Sequence, residues 1–208
     1  MSGGSDSASA VRVVLATHNA HKVEELRRIL GDRLVGIELL GYDGPEPVED
    51  ADSFAGNALI KARAAAEHTG LPAIADDSGI SVDALDGAPG IHSARYAGTR
   101  DSGDNLRLLL ANLVGVPADQ RGAQFNCAAA AVIPVDGGDA IEHVEVAEWP
   151  GVVLEQPAGE GGFGYDPIFQ PEGETRSAGQ LTAAEKDAVS HRTQAFTALL
   201  PWLRERIG

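Results

Sequence analysis

Cysteine is almost absent from this sequence: Cys127 is the single one in 208 residues. One thiol excludes an internal disulfide and a cysteine-based metal cluster. Its place in an apolar stretch makes it a small core residue. Long apolar runs are also lacking. The longest lies around residues 127–135, well short of the roughly 20 residues a membrane-spanning helix needs, so no membrane partner is expected. The first ten residues, MSGGSDSASA, have neither a basic region nor an apolar core of the kind a signal peptide carries. They read as a polar, disordered tail (1–10) ahead of a single domain (11–208), and a cytoplasmic location is expected.

Positive charge is scarce. Sixteen Lys and Arg face 31 Asp and Glu, for a formal net charge of −15. Such a surface repels nucleic-acid backbones, so no nucleic-acid partner is expected. Small phosphate ligands are still open, because a few placed cations and a metal reverse the field inside one cleft.

What is present suffices for a core, since 43% of residues are hydrophobic and the length suits one domain. Strand and helix patterns alternate. Residues 11–16 (VRVVLA) read as a strand, 21–30 as a helix with Val23, Leu26, Ile29 and Leu30 on one side, and 37–40 as a short strand. Ser53 is a plausible N-cap for a long helix to about Thr69, closed by Gly70. A strand follows at 71–75 (LPAIA), then a helix from Asp101 or Ser102 to Leu113. Stretches 123–135 and 140–149 form an antiparallel hairpin through Asp136-Gly137-Gly138-Asp139. Thr182 to Glu185 is a capping box. Ser190 caps a last helix that Pro201 should kink or restart. The fold class is α/β with a mixed sheet.

Chemistry-bearing residues gather between these elements. Asp76 and Asp77 follow the LPAIA strand directly, and Ser78-Gly79 suggests a sharp turn after them. Ligands of α/β proteins bind at strand ends. An acidic pair there suits a divalent metal and the removal of a proton from water; Asp-Asp-Ser-Gly is also ordinary turn chemistry. Thr17-His18-Asn19-Ala20-His21-Lys22 joins the first strand to the first helix. Backbone N–H groups, an Asn and a Lys one turn in suit phosphate oxygens, though Thr17 or Asn19 as a simple cap explains them too. The acidic run 46–52 offers Glu49 as a second metal ligand, or is a solvated loop near a helix N-terminus. Asn57 and Lys61 lie four apart on one helix face. In Gly161-Gly162-Phe163-Gly164-Tyr165-Asp166, glycines flank an aromatic that can stack on a base, and Asp166 can accept from a ring N–H. His191 and Arg192, with Lys186 before them, open a helix where positive charge is electrostatically disfavoured.

The stretches THNAHK, ADDSG, GAPGIHSARYAG, GFGYDP and SHR, in this order, resemble the inosine triphosphate pyrophosphatase family, whose members remove deaminated purine nucleotides. The resemblance runs from about Val11 to the last helix. It implies an elongated mixed sheet flanked by helices, two lobes around a central nucleotide cleft, and a homodimer. It implies Mg²⁺-dependent hydrolysis of ITP, dITP and XTP to the monophosphate and pyrophosphate. By the same resemblance Thr17, His18, Asn19, Ala20, His21 and Lys22 hold the triphosphate, with Lys61 on the phosphate side and Ser78 on the substrate. Glu49 and Asp77 are the metal ligands; Asp77 is also the proton acceptor, with Asp76 beside it and Lys22 among the catalytic groups. Phe163, Gly164, Tyr165, Asp166, Lys186, His191 and Arg192 form the base pocket. Two departures stand out: Gly56 replaces the Glu usual in the helix motif, and Glu148 precedes Trp149-Pro150-Gly151 where a glycine is common.

Two rival readings remain: a related pyrophosphatase acting on pyrimidine or methylated nucleotides, and a nucleotide-binding regulator without turnover.

Overall fold

A computed structural model describes residues 10–208; the tail expected at 1–10 lies, but for Ala10, outside the described residues, as do the side chains of Ala20 and His21. The strands are β1 (Val11–Leu15), β2 (Ile37–Gly41), β3 (Ala73–Val82), β4 (Gly122–Ile133), β5 (Ile141–Val153) and β6 (Phe169–Pro171). The helices are α1 (Ala20–Leu30), α2 (Phe54–Thr69), α3 (Ser102–Asn112), α4 (Ala183–Val189) and α5 (His191–Ile207). The strands form one mixed sheet in the order β2-β1-β3-β4-β5-β6. β1 runs parallel to β2 and β3, and every pairing from β3 onward is antiparallel.

Alternation along the strands builds a core on each face. On one face Val13, Leu15, Ile74, Cys127, Ala129 and Ala131 pack under Leu26 and Leu30 of α1 and Phe196, Leu199 and Leu203 of α5. On the other, Val14, Ala73, Ala75, Ala128 and Ala130 meet the alanine stripe Ala58, Ala62 and Ala65 of α2. Small residues on both partners let α2 lie close to the sheet. The long strands β3, β4 and β5 continue beyond these layers into a second core, where Ile80, Val82, Phe125, Trp149 and Phe169 pack with Leu106 and Leu109 of α3. The two lobes expected from the sequence are thus the two ends of one sheet.

The caps are as expected. Ser53 accepts from the Gly56 N–H, Gly70 closes α2 in the left-handed region at φ 67°, and Thr182 with Glu185 makes a reciprocal capping box. Three expectations are corrected. The strand read as 71–75 does not end in a turn: β3 runs from Ala73 through Asp76, Asp77, Ser78 and Gly79 to Val82, because β4 pairs with all of it. Gly79 serves close approach rather than turning. A Cβ there would sit 2.5 Å from the Gly90 carbonyl oxygen and 2.9 Å from the Ser93 Cβ, besides striking the Ser93 hydroxyl. Second, α5 does not restart at Pro201: one helix runs from His191 to Ile207 with the proline inside it. Burial of Leu199, Leu200 and Leu203 around that position outweighs the one lost backbone bond. Third, β5 extends past Trp149 to Val153, where it pairs with β6 as well as β4.

Candidate active site

The site follows from where β1 stops. β1 pairs with β3 only at Val14–Ala73 and Leu15–Ile74. Past Ile74, no strand among the described residues covers that edge of β3 until the single bridge from Ser81 to Pro89. A cavity of about 450 Å³ opens there, lined by the loop after β1, the loop before α2, β3, the segment after β3, the 163–166 loop and the start of α5.

A strand's period of two sends neighbouring side chains to opposite faces, and this splits the acidic pair. Asp76 shares the face of Ile74, toward α1 and α5. Its Oδ2 accepts from Lys22 Nζ at 2.9 Å, from Ser78 Oγ at 3.2 Å, and from Nε and Nη2 of Arg192, both at 3.3 Å. Burial opposes ionisation of Asp76, yet Lys22 and Arg192 outweigh it and hold the carboxyl well below the usual carboxylate range. Asp76 does not line the cavity; Lys22, Ser78 and Arg192, which it anchors, do.

Asp77 points the other way, toward α2. Its Oδ1 accepts from Lys61 Nζ at 2.9 Å, and the same ammonium reaches Glu49 Oε2 at 3.1 Å. Burial pushes the Asp77 carboxyl above its ordinary range, against the pull of Lys61 and Lys22, and the nearby Glu49 adds to the rise. Two carboxylates therefore share one cation at the cavity wall. Among the described residues no cluster of three or more His, Cys, Asp and Glu side chains is placed to hold a metal ion. A metal here would take two carboxylates and complete its shell with water or substrate.

The loop after β1 is fastened to itself. Thr17 Oγ1 accepts from the Asn19 N–H at 3.1 Å, and Asn19 Oδ1 accepts from the Lys22 N–H at 3.3 Å, so Asn19 caps α1. The capping explanation for this loop therefore holds, alongside its position on the cavity. The His18 ring stacks on Tyr42 with centroids 5.4 Å apart.

At the far end, Asp166 is turned inward, 1% exposed. Its Oδ2 accepts from Lys186 Nζ at 2.6 Å and from the Phe163 N–H at 2.7 Å, so it clamps the loop that presents Phe163. Gly162, at φ 70°, is required there, because a Cβ would overlap the Asp166 carboxylate. Phe163 is exposed to the cavity, with Lys186 Nζ 5.5 Å and Arg192 Cζ 5.9 Å from its ring centroid. Tyr165 is buried and donates its hydroxyl to the Ser93 carbonyl at 2.8 Å, which makes it a wall. Arg192 is buried between Asp76 and Glu25, a short contact on Nη1, and Nη2 also reaches Ser78 Oγ at 2.9 Å. His191 lies flat on Phe125, centroids 4.9 Å apart and planes 7° from parallel. Burial, with Arg192 and Lys186 beside it, keeps its pKa well below the ordinary value, so the ring is neutral. Its Nδ1 is buried without a hydrogen-bond partner among the described residues.

The structure thus brings Thr17, His18, Asn19, Lys22, Glu49, Lys61, Asp77, Ser78, Phe163, Gly164, Tyr165, Asp166, Lys186, His191 and Arg192 around one cavity; it sets Asp76 behind it. Sequence reasoning missed Glu25 and Phe125. Glu25 lies three residues after Lys22 on α1, a spacing that already puts the two on one side of the helix. Phe125 looks like any strand aromatic until β4 brings it under His191.

The profile of the Ham1 family matches residues 13–202. A dITP/XTP pyrophosphatase of Streptomyces coelicolor is 52% identical over 202 residues, covering 95% of this chain and 99% of its own. One from Leifsonia xyli is 53% identical over 195 residues, covering 93% and 96%. Among solved structures, a HAM1 protein from Coxiella burnetii superposes with a TM-score of 0.83 at 37% identity, covering 94% of this chain and 99% of that one. A nucleoside-triphosphatase and dITP/XTP pyrophosphatase from Mycobacterium abscessus has a TM-score of 0.73 at 47% identity, covering 93% and 100%.

Proposed function

This chain belongs to the Ham1 family, and from that premise we infer that it is a nucleoside-triphosphate pyrophosphatase acting on the deaminated purine nucleotides dITP, XTP and ITP. The products are the nucleoside monophosphate and pyrophosphate. The observation that carries the reading is the polarity of the cavity. Glu49, Lys61 and Asp77 converge at one place on its wall, Lys186 and Arg192 gather around the Phe163 ring at another, and Lys22 stands beside Arg192 on the shared Asp76 oxygen.

Glu49 and Asp77 fit Mg²⁺, since they already converge on a cation, Lys61 Nζ, and offer only oxygen donors. Two carboxylates, with the rest of the shell left to water and phosphates, match the habit of that ion. When bound, it neutralises the polyphosphate and polarises the phosphorus under attack. Asp77, on the cavity wall, takes the proton of the attacking water. Lys22 and Lys61 face the polyphosphate and stabilise charge on the leaving pyrophosphate. Asp76 holds Lys22 and Arg192 in place from behind the cavity.

Phe163 stacks on the base, while Arg192 and neutral His191 read its edge. An arginine offers only donors, which suits a 6-oxo group. Adenine's 6-amino group sets donor against donor, at a cost of about 1–3 kcal/mol for each buried group left unpaired. The working assembly is a homodimer in the cytoplasm, without nucleic-acid partners. No helix among the described residues is long and apolar enough to cross a membrane.

The test is a substrate panel of dITP, XTP, ITP, ATP, GTP and a pyrimidine triphosphate, read as pyrophosphate release with Mg²⁺ and with chelator. Fast release from the first three, lost on chelation, is expected. Equal rates on ATP and ITP, or orthophosphate as the sole product, overturn the reading. Light scattering checks the dimer.

A further inference from the structure

Asn57 is 1% exposed and does not line the cavity, yet it bonds both Asp77 and the loop that carries Glu49. Its Nδ2 donates to Asp77 Oδ2 at 3.4 Å. Its Oδ1 accepts from the Ala51 N–H at 3.1 Å, two residues beyond Glu49. Asn57 and Lys61 stand one turn apart on α2, so the helix holds each Asp77 oxygen with a different donor, Asn57 on Oδ2 and Lys61 on Oδ1. The loop that carries Glu49 has no regular structure of its own. It lies against α2 where Gly56 leaves room: a Cβ on Gly56 would stand 2.6 Å from the Ala51 Cβ and 3.2 Å from Ser53 Oγ. The missing side chain and the neighbouring amide act together. One lets the loop approach the helix, and the other fastens it there.

We propose that Asn57, with the Ala51–Gly56 contact, is the positioning element that sets Glu49 and Asp77 at the spacing of one divalent-cation site. The proposal rests on the metal reading above. A carboxylate held by two donors and a loop pinned beside it lose little entropy when a cation arrives, and outer partners of this kind typically carry about 10- to 100-fold in metal affinity. Asn57 touches neither the base pocket nor the phosphate loop, so its effect is on metal affinity.

The probe is Mn²⁺ alone, titrated against the full chain and followed by the loss of its free-ion paramagnetic resonance signal. Asn57→Leu keeps the volume and removes both hydrogen bonds; its Mn²⁺ affinity should fall about 10- to 100-fold. Gly56→Ala is the second variant. The Glu49 loop, which has no regular structure of its own, yields to the new Cβ, and that displacement offsets the gain in helix propensity; the metal-free melting temperature should stay near the wild type's while Mn²⁺ binding weakens several-fold. An unchanged melting temperature paired with a metal loss is a result that general loosening of the fold does not produce. Wild-type Mn²⁺ affinity in Gly56→Ala, or in a folded Asn57→Leu, overturns the proposal. So does a Gly56→Ala loss that tracks a lowered metal-free melting temperature, or an absence of millimolar Mn²⁺ binding in the wild type. Should Asn57→Leu not fold, Gly56→Ala decides. Failure of the wild type to hydrolyse dITP or XTP refutes the functional reading instead, whatever the Mn²⁺ titration shows.

Discussion

Arg192 directs Nε and Nη2 at one oxygen of Asp76, Oδ2, each at 3.3 Å. The pair joins the second residue of α5 to the middle of β3, and both side chains are essentially buried. A cation at a helix N-terminus is disfavoured, so Arg192 needs a compensating acceptor. Asp76 and Glu25 already provide the compensation within the protein. Any contact with the base is added to that frame.

Removing Arg192 therefore tests stability before it tests specificity. Arg192→Ala leaves two buried carboxylates short of a partner and should cost about 3–5 kcal/mol, read by urea unfolding. Arg192→Lys keeps the charge but loses the planar fork. In that variant the ratio of kcat/KM for ITP over ATP should fall about tenfold or more. A lysine variant that slows both substrates alike would place Arg192 on phosphate, or in the scaffold only.

The two adjacent aspartates should separate by readout. Asp77→Asn keeps shape but removes the carboxylate proposed above as proton acceptor and metal ligand, so turnover should drop about 10²- to 10⁴-fold with circular dichroism unchanged. Asp76→Asn discharges the anchor of Lys22 and Arg192, and unfolding free energy should fall by about 3 kcal/mol or more. Near-normal activity in Asp77→Asn, with normal metal dependence, would reduce that residue to a structural role.

Stability should decline on the acid side in two stages. His191 is neutral when folded, its pKa pushed well below the ordinary value by burial and the neighbouring cations. Once unfolded, it binds a proton near its usual pKa of about 6.5. Below that pH the unfolded chain holds more protons than the folded one, so stability falls as pH drops. Asp76 has the same sign: its folded pKa is depressed, and its contribution fades below about pH 4, where the unfolded carboxyl protonates. Urea midpoints between about pH 7.5 and pH 5 should slope for the wild type and flatten for His191→Asn. Parallel slopes in the two proteins would remove His191 from the linkage.

Gly79→Ala should destabilise, although alanine normally improves on glycine inside a strand by about 0.5–1 kcal/mol. The new Cβ meets the Gly90 carbonyl at 2.5 Å, and that backbone cannot swing away as a flexible side-chain end would. Overpacking of this kind costs about 1–3 kcal/mol. A melting temperature equal to the wild type's would mean that the segment after β3 moves aside freely.

Local chemistry was legible in the chain itself. The caps at Ser53, Thr182 and Ser190, the 136–139 hairpin turn and the alanine stripe of α2 depend on residues a few positions apart. The cavity residues were legible as well, because their types and order resemble a known family. Tertiary structure alone decided that β3 continues through Asp76 and Asp77, since the hydrogen bonds that extend it come from β4, some fifty residues on. Once the strand continues, its period of two puts Asp76 toward α1 and α5 and Asp77 toward α2, and each acquires partners that no local pattern announces. Glu25 and Phe125 took their roles in the same way, and so did the bond from Asn57 to Asp77: the neighbours are distant in sequence, and only packing brings them within reach.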